Sequence, residues 1–293
     1  MGKIGNVLRN AVVKHPKLLN FYRSYVRLRS IIYRERLIHN EREREKLIHF
    51  TILNKKFKML LDPYSNHDLG FYRNYKRHRL YEPETSKFIV KTLKKGDTFI
   101  DIGANNGYFS LMASILVGST GKVYAFEPTP DSFKRLQTNV HVNKFKNIKL
   151  FECALGDKDG KIKLNVSKKE DGQNSIISIV DKKGSIAVQI KKLDDILKGN
   201  RVNLIKIDVE GYEKEVFRGA IKTIKNNRNI KIVFENNPEL MILRGLNPSY
   251  LLNFFKGLDF EVSRILPDGG IEKATVKETD ILNLENLCAF RKM

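Results

Sequence analysis

A chain of 293 residues with 41% hydrophobic and 30% charged residues can bury one large core, and its composition argues against a disordered or fibrous protein. Its 54 Lys and Arg against 33 Asp and Glu leave a formal net charge of +21, and residues 1–80 alone hold 19 basic and 6 acidic side chains. Two distant cysteines in apolar runs, with no CxxC or His/Cys cluster, argue against a disulfide scaffold and a structural zinc site.

In chain order, residues 1–50 are predicted helical. Apolar residues recur at helical spacing (Val7, Leu8, Val12; Leu18, Leu19, Phe21, Tyr22, Val26), and NEREREKLIHF reads as a charged helix face. The stripe runs beside Arg23, Arg27 and Arg29. It suits either packing on a domain or an amphipathic helix lying on an anionic membrane. No apolar leader opens the chain, and no run of 18 apolar residues occurs, so the expected location is the cytoplasm, with peripheral membrane contact as an extension of that reading. KFKMLLDP (55–63) predicts a short strand, and 65–84 an aromatic, basic loop.

From residue 84 the pattern becomes regular. TSKFIVKTL predicts a helix, TFIDIG a strand, GYFSLMASILV a helix, KVYAFEP a strand, and DSFKRLQTNVHVN a helix capped by Asp131. IKLFECAL predicts a third strand, and GDKDGKIKLNV with SIAVQIKKL an inserted antiparallel pair. The alternation resumes with VNLIKID, EKEVFRGAIKTIK, NIKIVFE, PSYLLNFFKGL and FEVSRIL, and closes on the strand NLCAFRK. Strands alternating with helices define an α/β fold with a mostly parallel sheet covered on both faces, and its last pair can form an antiparallel edge.

In such sheets, ligands bind outside the carboxyl ends of the strands. DIGANNG (101–107) lies there: Asp101 ends a strand, and Gly103 and Gly107 shape the turn into a helix. The next strand ends at Glu127, placed to accept hydrogen bonds from ribose hydroxyls. A dinucleotide site asks for G-x-G-x-x-G under a pyrophosphate. The G-x-x-x-G spacing here, with an aspartate ahead of it, suits S-adenosylmethionine better.

The segments YEPE (81–84), GDTFIDIGANNGYFS (96–110), VYAFEPTPDSFKRLQTNV (123–140), CALGDKDGKIKL (153–164), KKLDDIL (191–197), NLIKIDVEGYEKEVFRGA (203–220) and KIVFENN (231–237) together resemble the FkbM-type methyltransferases, a branch of the class I S-adenosylmethionine-dependent superfamily. The resemblance covers about 57–293 and leaves 1–56 as a basic helical extension. It implies the Rossmann-like seven-stranded sheet with an antiparallel last strand, and methyl transfer to a hydroxyl of a sugar, glycan, lipid-linked or other small-molecule acceptor. It also carries cofactor contacts over to Asp101, Gly103, Asn105, Gly107, Glu127, Pro128 and Ala154, and places Tyr81 and Glu82 at a lid or acceptor pocket. One departure is that Glu235 is followed by Asn236 and Asn237, where many members have a hydrophobic residue and His.

A hydroxyl needs a base before it attacks a sulfonium methyl. Asp208 and Glu210, at the end of KIDVEG, supply a base and an orienting partner, unless they serve as helix cap and dipole partner. Glu235 closes the next strand as a third carboxylate, and Lys206 is expected to face Asp208. A divalent ion on Asp208, Glu235 and Asn236 is a less favoured alternative. The rival functions are an RNA methyltransferase using the basic first quarter and a non-catalytic binding module on the same fold.

Overall fold

The computed structural model describes residues 46–62, 65–167, 182–272 and 285–291. It opens with a hairpin, β1 (Lys46–Ile52) and β2 (Lys55–Leu61), followed by α1 (Asn66–Lys76) and α2 (Pro83–Thr92). The regular part runs β3 (Thr98–Ile102), α3 (Tyr108–Val117), β4 (Lys122–Phe126), α4 (Pro130–Asn143) and β5 (Ile148–Phe151). A side sheet of β6 (Ala154–Leu155), β7 (Gly160–Ser167) and β8 (Lys182–Lys191) interrupts it. Then come α5 (Leu193–Leu197), β9 (Leu204–Ile207), α6 (Glu213–Gly219), α7 (Ile221–Asn226) and β10 (Lys231–Asn236). The chain closes with α8 (Pro238–Leu243), α9 (Tyr250–Lys256), β11 (Glu261–Arg264) and β12 (Glu285–Phe290).

Among the described residues, the main sheet has the order β11-β12-β10-β9-β3-β4-β5. Strand β3 pairs in parallel with β4 and β9, whereas β12 runs antiparallel to both β10 and β11. This is the predicted Rossmann-like sheet with its antiparallel last strand. The central strands TFIDI and LIKI are almost wholly buried, because helices cover both faces and no position can stay polar for water. Side chains alternate between two cores. Ile100 and Ile102 pack with α6, α9 and the side sheet, while Phe99 packs with α3, α4 and the hairpin. The inserted strands β7 and β8 are antiparallel, as predicted.

Three local readings need correction. Residues 46–50, expected to be helical, are the first half of β1, whose pattern alternates with Ile48, Phe50 and Ile52 inward. The hairpin turn is Leu53-Asn54, with φ +46° and +62°, the geometry of a two-residue type I′ turn. Lys56 lies within the paired strands, opposite Thr51. The expected loop at 65–84 contains α1, whose Leu69, Phe71 and Tyr72 are buried. Helix α4 is capped at Thr129, with Pro130 first in the helix, so Asp131 is a first-turn acid rather than the cap. The predicted helices at 1–45 lie outside the described residues.

The hairpin is bolted to the sheet by aromatic contacts and by asparagines. Phe50 stacks on Phe57 at 5.2 Å, and the edge of Tyr108 from α3 meets both rings. On the outer side of β2, Asn143 of α4 accepts from Lys58 N and donates to Lys58 O, both at 2.7 Å. Asn139 accepts from Leu60 N at 2.7 Å. Side-chain amides thus complete the strand's hydrogen bonding where a further strand would otherwise pair.

Candidate active site

The donor side is built on the turn after β3. Gly103 has φ +78°, and a Cβ there would overlap the carbonyl oxygen of Asp208, so the glycine lets the turn lie against the end of β9. Asn105 also takes a left-handed conformation (φ +50°), which aims its N–H at Glu127 Oε2, 2.9 Å away. Glu127 Oε1 accepts from Thr129 N at 2.9 Å. The Thr129 side chain also bonds this carboxylate, so three of its roughly four acceptor positions are filled and one remains for a ribose hydroxyl. Burial raises its pKa, opposed by those N–H bonds from Thr129 and Asn105.

Asp101 is fully buried; Ser110 Oγ donates to its Oδ2 at 2.6 Å, and its Oδ1 has no hydrogen-bond partner among the described residues. An orphaned carboxylate oxygen beside a glycine turn asks for a donor such as an ammonium group. Beside the glycine turn an apolar slot is lined by Gly103, Phe126, Pro128, Ala154, Val209 and Tyr212, a lining that suits the edge of a heteroaromatic base. The expected contacts Asp101, Gly103, Asn105, Glu127, Pro128 and Ala154 therefore converge. Gly107, at φ +95°, shapes the start of α3, where a Cβ would strike Leu136. This set fits S-adenosylmethionine: carboxylates for its ammonium and ribose, and an apolar slot for its adenine.

The acceptor side follows from the strand register. Phe234 pairs with Ile207 in the parallel β10–β9 ladder, and Glu235 pairs with Asn286 across β12. Glu235 and Asp208 therefore leave adjacent strand ends, and Glu210 lies two residues further on. Lys206 is 3% exposed, as a residue of a doubly covered strand must be, and its Nζ donates to Asp208 Oδ2 at 3.0 Å. It also lies over the ring of Phe109, 4.6 Å from the centroid. Burial would lower the Lys206 pKa, but Asp208, Glu82 and Asp101 outweigh it, and the ammonium is held charged.

Glu235 is in the opposite position. Burial, then the nearby charges of Asp208, Glu210, Glu213 and Glu82, push its carboxyl up to about 9. Its Oε2 is buried without a hydrogen-bond partner among the described residues. Glu210 sits at φ +50°, a conformation uncommon outside glycine and concentrated at functional sites. Helix α6 begins at Tyr212, so Asp208 is not its N-cap, and Glu213 Oε1 accepts from Gly211 N to hold the intervening turn.

Several residues carry the site without a motif to announce them. Ser110 fixes Asp101, and Asn286 and Thr85 hold Glu82. Buried Asp68 of α1 accepts from Asn106 Nδ2 at 3.0 Å and from Arg135 Nη1 at 2.5 Å, tying the donor turn to the hairpin side. These pairs span 9 to 204 residues in sequence, so only a folded chain reveals them. Tyr81, stacked on Phe71 at 3.9 Å, has its phenol held well above the ordinary value by burial and by the surrounding carboxylates. Among the described residues no group of three or more His, Cys, Asp or Glu is arranged to hold a metal ion.

The sheet order and the glycine turn facing an acidic strand end define the class I, Rossmann-like methyltransferases. The chain belongs to the FkbM methyltransferase family: the family's "Methyltransferase FkbM domain" profile matches residues 101–248. The methyl donor of this class is S-adenosylmethionine. The chain is 32% identical over 147 residues to "Methyltransferase 1" of Beauveria bassiana, covering 42% of this chain and 58% of that protein. It is 27% identical over 148 residues to "Hexuronic acid methyltransferase AglP" of Haloferax volcanii, covering 50% and 59%. The chain thus spans somewhat over half the length of these relatives. A solved structure of methyltransferase FkbM from Methylobacillus flagellatus aligns with TM-score 0.43 at 15% identity, covering 77% of this chain and 54% of that one.

Proposed function

We propose that the protein transfers a methyl group from S-adenosylmethionine to a hydroxyl oxygen of a sugar-like small molecule or glycan. The observation that supports it best is the carboxylate group at the ends of β9 and β10, where Glu235, its Oε2 buried and without a hydrogen-bond partner among the described residues and its pKa raised, lies beside the Lys206–Asp208 ion pair. A hydroxyl is a weak nucleophile until its proton leaves, and a base of raised pKa accepts that proton with less of an uphill step than an ordinary carboxylate.

In this reading Glu235 Oε2 takes the hydroxyl proton, and Asp208, fixed by Lys206, orients the hydroxyl through its other oxygen. Asp101, Asn105 and Glu127 hold the donor so that its methyl faces the strand ends. The donor supplies an electrophilic methyl carbon; the chain supplies alignment, which accounts for much of the acceleration in such displacements. The hexuronic acid methyltransferase among its relatives supports a sugar acceptor. The test is transfer of isotopically labelled methyl to a panel of glycosides, with mass-spectrometric location of the label. Label on nitrogen or carbon, with none on oxygen, overturns the proposal.

A further inference from the structure

The acid-rich rim constrains which hydroxyl can enter. Glu82, at φ +40° ahead of α2, lies beside the ends of the strands; its Oε2 accepts from Asn286 Nδ2 at 3.2 Å, and the same nitrogen donates to Thr85 Oγ1 at 3.0 Å. Because Asn286 is the cross-strand neighbour of Glu235, and Glu235 the lateral neighbour of Asp208, Glu82 held by Asn286 at β12, Glu235 of β10 and Asp208 after β9 follow one another, with Glu210 beyond. Among the described residues the cation facing them is Lys206, and Asp208 already holds its Nζ. Arg244, beside the same turn, is spent on Glu215 at 2.7 Å and on the carbonyl of Gly211. Burial raises the Glu82 and Glu235 carboxyls, and the neighbouring carboxylate of Asp208 adds to both shifts.

We infer that the acceptor presents its reacting hydroxyl on an uncharged or amine-bearing frame, and that the site turns away an acceptor with a carboxylate or phosphate beside that hydroxyl. The inference rests on the hydroxyl-methylation reading and sharpens it. A hexuronic acid carries a carboxylate on its ring, so the hexuronic acid methyltransferase sets the opposite expectation. An anion brought into this rim meets like charges at short range in a partly dehydrated setting, where little water screens them. A neutral polyol instead satisfies the carboxylates with hydroxyl donors, and a protonated amine adds a counter-charge.

The experiment uses the full chain with methyl glucoside, methyl glucosaminide and methyl glucuronide. Binding is read by ligand-observed NMR in the presence of S-adenosylhomocysteine, and transfer by labelled methyl from S-adenosylmethionine. Expected is glucuronide binding and transfer at least ten-fold weaker than glucoside, with glucosaminide no weaker than glucoside. Glu82→Gln should narrow the glucuronide gap several-fold in binding, and Glu235→Gln should do the same when binding is read above pH 9, where that carboxyl is ionised. Glucuronide equal to or better than glucoside overturns the inference while leaving hydroxyl methylation standing. Failure of all three to bind, with the donor product still bound, overturns both. An unchanged gap in both variants also overturns it.

Discussion

At the scale of single residues, the carboxylates that end β9 and β10 carry the transfer step in this reading. Glu235→Gln and Asp208→Asn should each reduce transfer by about 100-fold or more, the range for removing a positioned base, with donor affinity within a few-fold in calorimetry. Retained turnover in both would place the base elsewhere. Glu235 sits up to about 9 in the folded protein against an ordinary 4.5, so as base it must lose that proton, and kcat/KM should climb with pH toward 9. The same shift sets a stability trend. Between these values the folded chain holds a proton that the unfolded chain has lost, so this group's contribution is full below pH 4.5 and fades as pH rises through 9. Glu235→Gln should therefore stabilise the protein at pH 8 while reducing transfer at least about 100-fold. A melting curve at pH 8 that shifts down would count against the buried, proton-holding state. Glu127→Ala removes the acceptor of Asn105 N and Thr129 N along with the ribose contact, and donor affinity should fall by about 1–3 kcal/mol.

At the scale of elements, the regular β–α run was legible from hydrophobic period alone, because a strand covered on both faces must be apolar throughout, as TFIDI and LIKI are. The site was legible where chemistry is local in sequence: the glycine turn, Glu127, and the carboxylates closing β9 and β10. It was not legible where contacts are distant. Nothing near Asp68 signals its bonds to Asn106 and Arg135, and nothing near Asn286 signals Glu82. Strand β1 reads as helix in the sequence because the charged run before Lys46 also satisfies a helical face, and its Leu53-Asn54 turn lacks the Asn-Gly signature. Helix α1 was hidden by Gly70 and by aromatics of modest helix propensity, which tertiary burial overrides. Asp68→Asn weakens the charged bond from Arg135 and should lower donor affinity through the loosened turn at Asn106. The expected signature is a higher KM for S-adenosylmethionine with kcat little changed. A fall in kcat alone would mean that Asp68 acts on the acceptor side.

For the whole molecule, the net charge of +21 and the density of Lys and Arg in residues 1–80 remain the largest features outside the site. Four or five basic side chains engaged with anionic lipid, at about 1 kcal/mol each, would give salt-sensitive attachment. The full chain should therefore co-sediment with phosphatidylserine vesicles at low salt, and a chain starting at Lys46 should stay in the supernatant. Identical behaviour of the two would remove residues 1–45 as the attachment site. Among the described residues no helix is long and apolar enough to cross a membrane. The asparagine pair on β2 has a consequence of another kind, for colloidal behaviour. An open strand edge recruits strands from other molecules, and a chain gathered at high density on a surface would be the most exposed to that hazard. Asn143 occupies the outward N–H and carbonyl of Lys58 and Asn139 the outward N–H of Leu60, with side-chain amides that cannot propagate a ladder. Crowding this molecule therefore does not offer β2 as a seed for fibres.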